Sequence, residues 1–290
     1  GTKVLNTKNI GIPKSGIEQI SLTTGGVPAM YGDLTGGVLH LTSRGPSREY
    51  NFGVSYETSQ FLDNYGHHLA DASASGPLYN EKDKTKQPKA GFFITGQFQT
   101  DKDQNPSPIG SYKVKDSKLQ DLKNNPSNLI VTNTDGVISA AAVRRAEYLS
   151  ADDIEKLPYR QNARQTAYNL NGKLEFIPFK NTVLSFGGNA SYNKGTNVST
   201  AGSLLNYENY QINERQEYRV WGRFTQKFVS EETDKNSSSL IKNAYYNIQV
   251  DYTKTLIKNY DDRYKDDLFK YGHIGKFTTN RTNAYSRVGD

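Results

Sequence analysis

The chain of 290 residues contains no cysteine, one methionine and one tryptophan. Without cysteine it has no disulfide and no thiolate metal ligand, although this leaves the cellular compartment open. No run of about 18 apolar residues occurs, so the sequence offers no transmembrane helix. The net charge of +6 is modest and its basic residues alternate with acidic ones, which argues against a nucleic-acid partner.

Aromatic residues are abundant by contrast, with 20 Tyr and 12 Phe, although only 34% of the chain is hydrophobic. Apolar residues recur at every second position in stretches of about ten residues, which is the periodicity of a β-strand. A β-barrel in lipid combines these properties, because its outward side chains must be apolar while its inward ones are wet. The composition therefore favours a membrane barrel over an ordinary soluble domain.

The alternation predicts seven strands. In the first of them Phe52, Val54 and Tyr56 face one way, while Ser55 and Glu57 face the other. A weaker strand, rich in Ala and Ser, follows at residues 67–76. The remaining strands are predicted at residues 92–99, 168–176, 184–192, 218–228 and 246–256.

Charged residues fall on the side of these strands opposite the aromatic ones. We expect them to line the barrel interior, where they either keep the interior wet and pair with a plug or form part of a substrate path. They are Glu57, Lys173, Glu175, Arg219, Arg223, Lys227 and Asp251.

The connections between the predicted strands alternate in length. Those at 77–90, 178–181 and 230–240 are short or moderate, whereas those at 102–164, 194–214 and 259–290 are long. Bacterial barrels have short periplasmic turns and longer extracellular loops, so we expect the long connections to be extracellular. Within 102–164 the sequence predicts two short helices, at 139–149 and 150–157, the second beginning with a capping box of Ser150 and Asp153.

An odd number of strands predicts that the chain is part of something larger. Single-chain bacterial barrels have even strand numbers, and an open sheet in lipid would leave two edges without hydrogen-bond partners. The start at Gly1, without an initiator Met, is also typical of a processed or truncated end.

Residues 1–46 differ from the rest. Two short strands, Ile17–Thr23 and Gly37–Ser43, flank a Gly-rich connector that includes Gly25. The pattern resembles the C-terminal end of the plug of TonB-dependent outer-membrane receptors, and the strings TGGVPAMYGDLTGG and ETSQFLDNYG are most similar to receptors of the Bacteroidota. The matching residues are Ile17, Glu18, Ile20, Gly26, Pro28, Tyr31, Gly32, Gly36, Gly37, Val38 and Arg44.

The resemblance implies an all-β membrane protein. Residues 1–46 would be the end of an α/β plug domain, and residues 47–290 about 7 of the roughly 22 strands of an antiparallel transmembrane β-barrel. Gly25, Gly26, Pro28, Tyr31, Gly32, Gly36, Gly37 and Arg44 would belong to the moving plug. A further hypothesis pairs Arg44 with Glu57 as a plug–barrel contact.

The same resemblance implies active transport across the outer membrane of a Gram-negative bacterium. The implied partners are outer-membrane lipid and an inner-membrane TonB-type protein that pulls a TonB box outside this chain. The substrate stays open among iron chelates, cobalamin, glycans and peptides. The alternative is a receptor-like barrel that serves as a structural or docking subunit of a secretion or motility complex, with a surface lipoprotein or other envelope proteins as partners. An open porin is disfavoured by the plug pattern.

Nothing in the sequence predicts an enzyme, a cofactor or a metal site. The four histidines, His40, His67, His68 and His273, lack a second ligand at a metal-binding spacing. Asp101 and Asp103 begin like a calcium loop, but Pro106 stands where that loop needs glycine.

Overall fold

The computed structural model describes residues 13–24, 37–79, 88–125, 129–134, 137–144, 149–200, 202–228, 244–267 and 269, with the backbone alone described in 129–134 and 137–144. These residues form antiparallel β-structure with one α-helix, α1 (Asp116–Asn124). In chain order the strands are β1 (Ile17–Thr23), β2 (Val38–Ser43), β3 (Asn51–Thr58), β4 (His68–Tyr79), β5 (Ala90–Asp101), β6 (Ser111–Val114), β7 (Leu129–Thr134), β8 (Val137–Arg144), β9 (Ile154–Leu157), β10 (Gln165–Phe176), β11 (Thr182–Thr196), β12 (Ile212–Phe228) and β13 (Ala244–Tyr260).

One seven-stranded sheet dominates the chain. Its order is β3-β4-β5-β10-β11-β12-β13, and each strand is antiparallel to its neighbours. The seven strands predicted from alternation are thereby confirmed in position and sequence order. Their actual lengths, up to 17 residues in β12 and β13, exceed the predicted stretches because pairing continues past the apolar positions.

The connections of this sheet lie at two ends that differ in character. At one end, called here the short-loop end, the connections cover residues 80–89, 177–181 and 229–243. At the other, the long-loop end, they cover residues 59–67, 102–164 and 197–211. The predicted alternation of connection lengths holds for 102–164 against 177–181, whereas 59–67 is short and the connections 197–211 and 229–243 are equally long. The predicted long connection at 259–290 lies mostly outside the described residues. In the tightest turn Asn181 takes a positive φ of 67°, which Asn tolerates better than most residues.

A separate hairpin precedes the sheet. Strands β1 and β2 pair antiparallel, with Ile20 opposite Leu41, and a single 3-10 turn at Lys14–Gly16 leads into it. Both predicted strands are therefore confirmed. The connector at 25–36 lies outside the described residues.

The two helices predicted within 102–164 are wrong. Residues 137–144 form strand β8, which pairs with β7 and carries Val137, Ile138 and Val143, residue types that favour strands. The capping box of Ser150 and Asp153 is present, but it caps only a 3-10 turn at Ala151–Asp153. Ile154–Leu157 then extends as β9 against β6. Helix α1 was missed, although Leu119 and Leu122, three residues apart, are its buried positions.

The described parts of 102–125, 149–164 and 197–211 pack together into what we call the loop unit. Val114, Leu119, Tyr207 and Tyr210 form its buried apolar cluster. The backbone N–H of Val114 donates to the carbonyl of Leu204 (3.2 Å), which joins the two loops directly. None of the described helices is both long and apolar enough to cross a membrane.

A buried ion pair fastens the start of the loop unit to its end. Asp103 is fully buried and accepts from Arg160 Nη2 at 2.5 Å, from Arg160 Nε at 2.9 Å and from the backbone N–H of Asn105 at 2.9 Å. Burial opposes ionisation of Asp103, but the hydrogen bonds from Arg160 and Asn105 outweigh it, so the pKa of this carboxyl lies below its ordinary value.

We predict that Asp103→Asn loosens the loop unit by about 2–3 kcal/mol, because Arg160 loses its buried carboxylate. Amide hydrogen exchange across 102–164 at pH 7 measures the loss. Asp116→Asn, which removes a carboxylate that is 76% exposed in its pair with Lys113, is the matched control and should change exchange little.

The destabilisation caused by Asp103→Asn should depend on pH. Because the pKa of Asp103 is lower in the folded state than in the unfolded state, ionised Asp103 contributes its full stability above the ordinary aspartate pKa of about 3.9. This contribution is lost as the pH falls through the lower pKa of the folded state. The difference in exchange between wild type and Asp103→Asn, compared at equal pH, should therefore shrink below about pH 3.9. A difference that stays constant down to pH 2 would contradict the ion pair as its source.

Candidate functional site

The strand register divides the seven-stranded sheet into two chemically opposite faces. Paired residues have the same parity on all seven strands, except where the register shifts at Tyr79, and the row of Tyr56, Ala70, Phe98, Tyr168 and Tyr192 is an example. Even-numbered side chains therefore share one face, called here the apolar face. Odd-numbered side chains share the other, called the polar face.

Burial is inverted between these faces relative to a water-soluble protein. On the apolar face Val54 is 87% exposed and Val250 is 72% exposed. On the polar face Thr95 is 1% exposed, Asn171 6% and Arg219 8%. Soluble domains bury their apolar side chains and leave most polar ones in water. In this sheet the exposed face is the apolar one and the buried face is the polar one.

Aromatic side chains gather near both ends of the apolar face. Phe98, Tyr168 and Tyr192 form a chain of ring contacts, with centroids 5.0 and 6.0 Å apart, towards the long-loop end. Tyr246 contacts both Phe224 and Phe228, at 5.9 Å each, towards the short-loop end. One row beyond the first cluster the apolar face becomes polar in every strand: the row is Thr58, His68, Thr100, Thr166, Lys194, Glu214 and Lys258.

All seven charged residues singled out from the sequence lie on the polar face. Five of them are close together on β10, β12 and β13: Lys173, Glu175, Arg219, Arg223 and Asp251. The structure pairs Lys173 with Glu175 (Nζ to Oε1, 2.7 Å) and Arg219 with Asp251 (Nη2 to Oδ1, 3.3 Å). That this face borders a lumen stays a prediction.

The other two charges stand apart. Glu57 lies on the edge strand β3, and Lys227 lies near the short-loop end of β12. The hypothesis that Glu57 pairs with Arg44 is wrong, because Glu57 contacts Lys14 (Nζ to Oε1, 3.4 Å) and Arg44 Nε donates to the carbonyl of Ile17 (3.4 Å). Sequence reasoning missed Lys14, which no motif marks.

The β1–β2 hairpin and its flanking residues lie against the polar face. Ser15 Oγ hydrogen-bonds Thr95 Oγ1 at 2.5 Å. A methyl group on Gly45 would lie 3.8 Å from both Lys173 Nζ and Glu175 Oε2, so the backbone after β2 runs directly over that ion pair. Both of these contacts involve polar or charged side chains.

Of the plug-like motif, Gly37 and Arg44 are within the described residues, whereas Gly25, Gly26, Pro28, Tyr31, Gly32 and Gly36 lie outside them. Gly37 stands where a side chain would collide: a Cβ there would be 2.8 Å from the backbone oxygen of Thr23. Its role in the hairpin is therefore to allow close approach of the two strands.

A second polar contact escaped the sequence reasoning. His67 Nδ1 lies 2.6 Å from Asp101 Oδ1, at the long-loop end of the sheet, and Asp101 is almost completely buried. These residues are 34 positions apart and no local signal joins them. Across the described part of the chain, no group of three His, Asp or Glu side chains could hold a metal ion.

Known proteins give no assignment for this chain. Comparisons with protein-family models, with curated proteins and with solved structures found no match. The function must therefore be inferred from the two faces, the hairpin and the loop unit.

Two glycines of β5 provide a test of how the hairpin is seated. A Cβ on Gly91, on the polar face, would lie 2.6 Å from Pro46 Cβ, whereas one on Gly96, on the apolar face, would meet nothing closer than 3.7 Å. We predict that Gly91→Ala destabilises the protein by about 1–3 kcal/mol and displaces the segment after β2, as overpacking does. Gly96→Ala is the control and should change little. Denaturant unfolding, with proteolysis at residues 44–46, measures both, and equal effects would contradict the packing of Pro46 on β5.

Proposed function

We propose that the chain is part of a TonB-dependent transporter of the bacterial outer membrane. In this proposal the apolar face meets lipid, the polar face borders the barrel interior, and the β1–β2 hairpin is the end of the plug that closes it. The observation that carries the proposal is the inverted burial of the seven-stranded sheet.

An exposed apolar face of this extent has few physical explanations. Monomeric soluble proteins rarely expose contiguous apolar patches larger than a few hundred Å². Here exposed apolar side chains occur on all seven strands, among them Phe52, Leu170, Phe186, Val220 and Val250. Lipid can cover such a face over its full width, because lipid chains contact any apolar side chain and need no complementary protein surface.

The spacing of the two aromatic clusters supports the same reading. On β12 the row of Tyr192 crosses at Gln216 and the row of Tyr246 crosses at Gln226, ten residues further on. Ten residues span about 33 Å along a strand. With the tilt of roughly 35–45° found in outer-membrane barrels, this corresponds to a height of about 25 Å, which is that of their apolar band.

The contacts between hairpin and sheet suit a plug that moves. They consist of polar pairs such as Ser15 with Thr95, and of an ion pair, Lys14 with Glu57, whose side chains are 72% and 53% exposed. Separating such groups exposes little apolar surface, and water can replace the lost hydrogen bonds. Force applied to the plug by an energy-coupling protein can therefore displace it without unfolding the sheet.

Recognition is assigned to the long-loop end. The loop unit has its own apolar cluster and its own buried ion pair, so it presents a defined surface at what would be the outer mouth of the barrel. Iron chelates, cobalamin, glycans and peptides remain the open substrate classes.

Membrane placement can be tested on one strand. We predict that Val250→Arg on the apolar face of β13 costs about 2–4 kcal/mol when the full chain is folded into lipid bilayers, because Arg is placed in the apolar band. Asn247→Arg, three residues away on the polar face of the same strand and also exposed, is the control and should cost far less. Folding titrations from urea into vesicles measure both. If both substitutions are tolerated equally, the apolar face does not meet lipid.

Transport can be tested in cells. A strain lacking the gene should lose growth on one member of a panel of iron chelates, cobalamin, glycans and peptides supplied at limiting concentration. Removing the inner-membrane coupling protein should cause the same loss. Uptake that persists without the coupling protein would instead indicate passive diffusion.

One observation favours the alternative of a docking subunit in an envelope complex. Phe61, Leu62 and Ile109 are exposed by 90%, 85% and 73% in connections at the long-loop end, beyond the apolar band. Apolar loop tips of this kind suit contact with another protein. A stoichiometric complex recovered from membranes, together with unchanged uptake in the deletion strain, would favour this function over transport.

A further inference from the structure

We propose that a small oxyanion, of the phosphate or sulfate type, binds between the hairpin and the polar face of the sheet, held by Arg219 and Arg223 of β12. The site lies in a cavity of about 160 Å³. Residues His40–Ser43 form one wall, and Asn189, Arg219, Trp221 and Arg223 contribute to the other. This inference stands whether or not the protein transports a substrate.

Arg219 lines this cavity and carries a buried donor without a partner. Its side chain is 9% exposed, and one end of the guanidinium reaches Asp251 through Nη2 at 3.3 Å. Its Nε is buried and has no hydrogen-bond partner. Buried donors are nearly always satisfied, so an orphan N–H on a cation marks a place where an acceptor belongs.

Within the described ranges, no carboxylate pairs with Arg223, the second cation of the site. Its Nε and Nη2 both donate to the amide oxygen Oε1 of Gln249, at 2.9 and 2.6 Å, and its guanidinium lies 5.5 Å from the centre of the Trp221 ring. An amide oxygen orients the guanidinium but carries no charge. Arg223 is therefore positioned while its charge stays available to an anion.

The charges of the described residues around the cavity do not balance. Three cations, Lys173, Arg219 and Arg223, face two carboxylates, because Glu175 pairs with Lys173 and Asp251 pairs with Arg219. The excess is positive and sits beside Arg223. A partly enclosed site with little water strengthens the attraction of this excess for an anion.

The donor set selects an oxyanion over other anions. Guanidinium groups present paired N–H donors whose spacing matches two oxygens of a phosphate or carboxylate. Two guanidinium groups on one strand, with Trp221 between them, approach a ligand from different directions, which suits a tetrahedral anion with several acceptor oxygens. The small volume limits the ligand to a free oxyanion or to the phosphate group of a larger molecule.

The site lies between the hairpin and the sheet. One wall belongs to β2 and the other to the sheet, so an anion held there bridges the hairpin to the polar face. Binding should therefore strengthen the attachment of the hairpin.

The test uses the full chain, purified in detergent, and equilibrium dialysis against radiolabelled inorganic phosphate. We expect saturable binding of about one phosphate per chain, with competition by sulfate. Arg223→Gln should weaken binding roughly tenfold or more, through the loss of charge-assisted hydrogen bonds. Among the described residues Arg223 donates to the amide of Gln249 and pairs with no carboxylate, so this change leaves no carboxylate there without its partner and should keep the fold.

The matched control is Arg215→Gln. Arg215 is on the same strand and the same face, but it pairs with Glu217 outside the cavity, so phosphate binding should be unchanged. Arg219→Lys keeps the charge but loses the Nε donor, and should weaken binding without abolishing it. Absence of saturable binding to the wild type, or equal losses in Arg223→Gln and Arg215→Gln, would overturn the proposal.

A phosphate monoester identifies the source of the ligand. If glycerol 3-phosphate binds as tightly as inorganic phosphate, the site takes a phosphate group from a larger molecule. If inorganic phosphate alone binds, the ligand is the free ion. Protection of residues 38–46 from proteolysis by bound phosphate, lost in Arg223→Gln, would support the bridging role.

Discussion

The register of the antiparallel ladder is the constraint on which the rest depends. Apart from the register shift between Pro77 and Tyr79 at the end of β4, every pair in the seven-stranded sheet joins residues of equal parity, so the two faces stay chemically distinct from β3 to β13. A slip of one residue in any strand would carry its polar side chains to the apolar face and its apolar ones to the polar face. Close contacts reinforce the register, since a Cβ on Gly188 would lie 2.6 Å from the backbone oxygen of Arg219.

The polar face is stable only because other groups complete it. The hairpin supplies Lys14 and Ser15, and cross-strand pairs such as Arg219 with Asp251 supply much of the rest. Some acceptors are still left over, including the buried amide oxygens of Asn169 and Asn171. Within the proposed barrel, water of the interior would satisfy them, which an apolar core does not allow. The same incompleteness at Arg219 underlies the proposed oxyanion site.

The main cluster of buried apolar side chains lies in the loops and not in the sheet. The apolar cluster of the described residues consists of Val114, Leu119, Tyr207 and Tyr210, all outside the seven strands. The sheet is held mainly by its hydrogen-bonded ladder, with Leu69 and Phe93 among its few buried apolar side chains. The loop unit is held by burial of apolar surface and by the pair of Asp103 and Arg160. Two kinds of stabilisation let the loop unit keep its shape independently of movement on the polar face.

The alternation of side chains by itself determined the seven strands, their order and the face on which each charged residue lies. Strand periodicity is local, because the side chain of each residue points opposite to that of its neighbour whatever the strand pairs with. Glycines and the strand pattern likewise located the hairpin. The Ala-rich stretch at 139–144 was misread as helical because Ala favours a helix, whereas its pairing with β7 prevails over this local preference.

Only the tertiary structure decided which side chains meet. Lys14 rather than Arg44 reaches Glu57, His67 meets Asp101, and Asp103 meets Arg160 across 57 residues of chain. Such contacts depend on how the hairpin seats on the polar face and how the loops fold back. A sequence pattern predicts the direction in which a side chain points. The residue that this side chain contacts depends on where a distant segment of the chain lies.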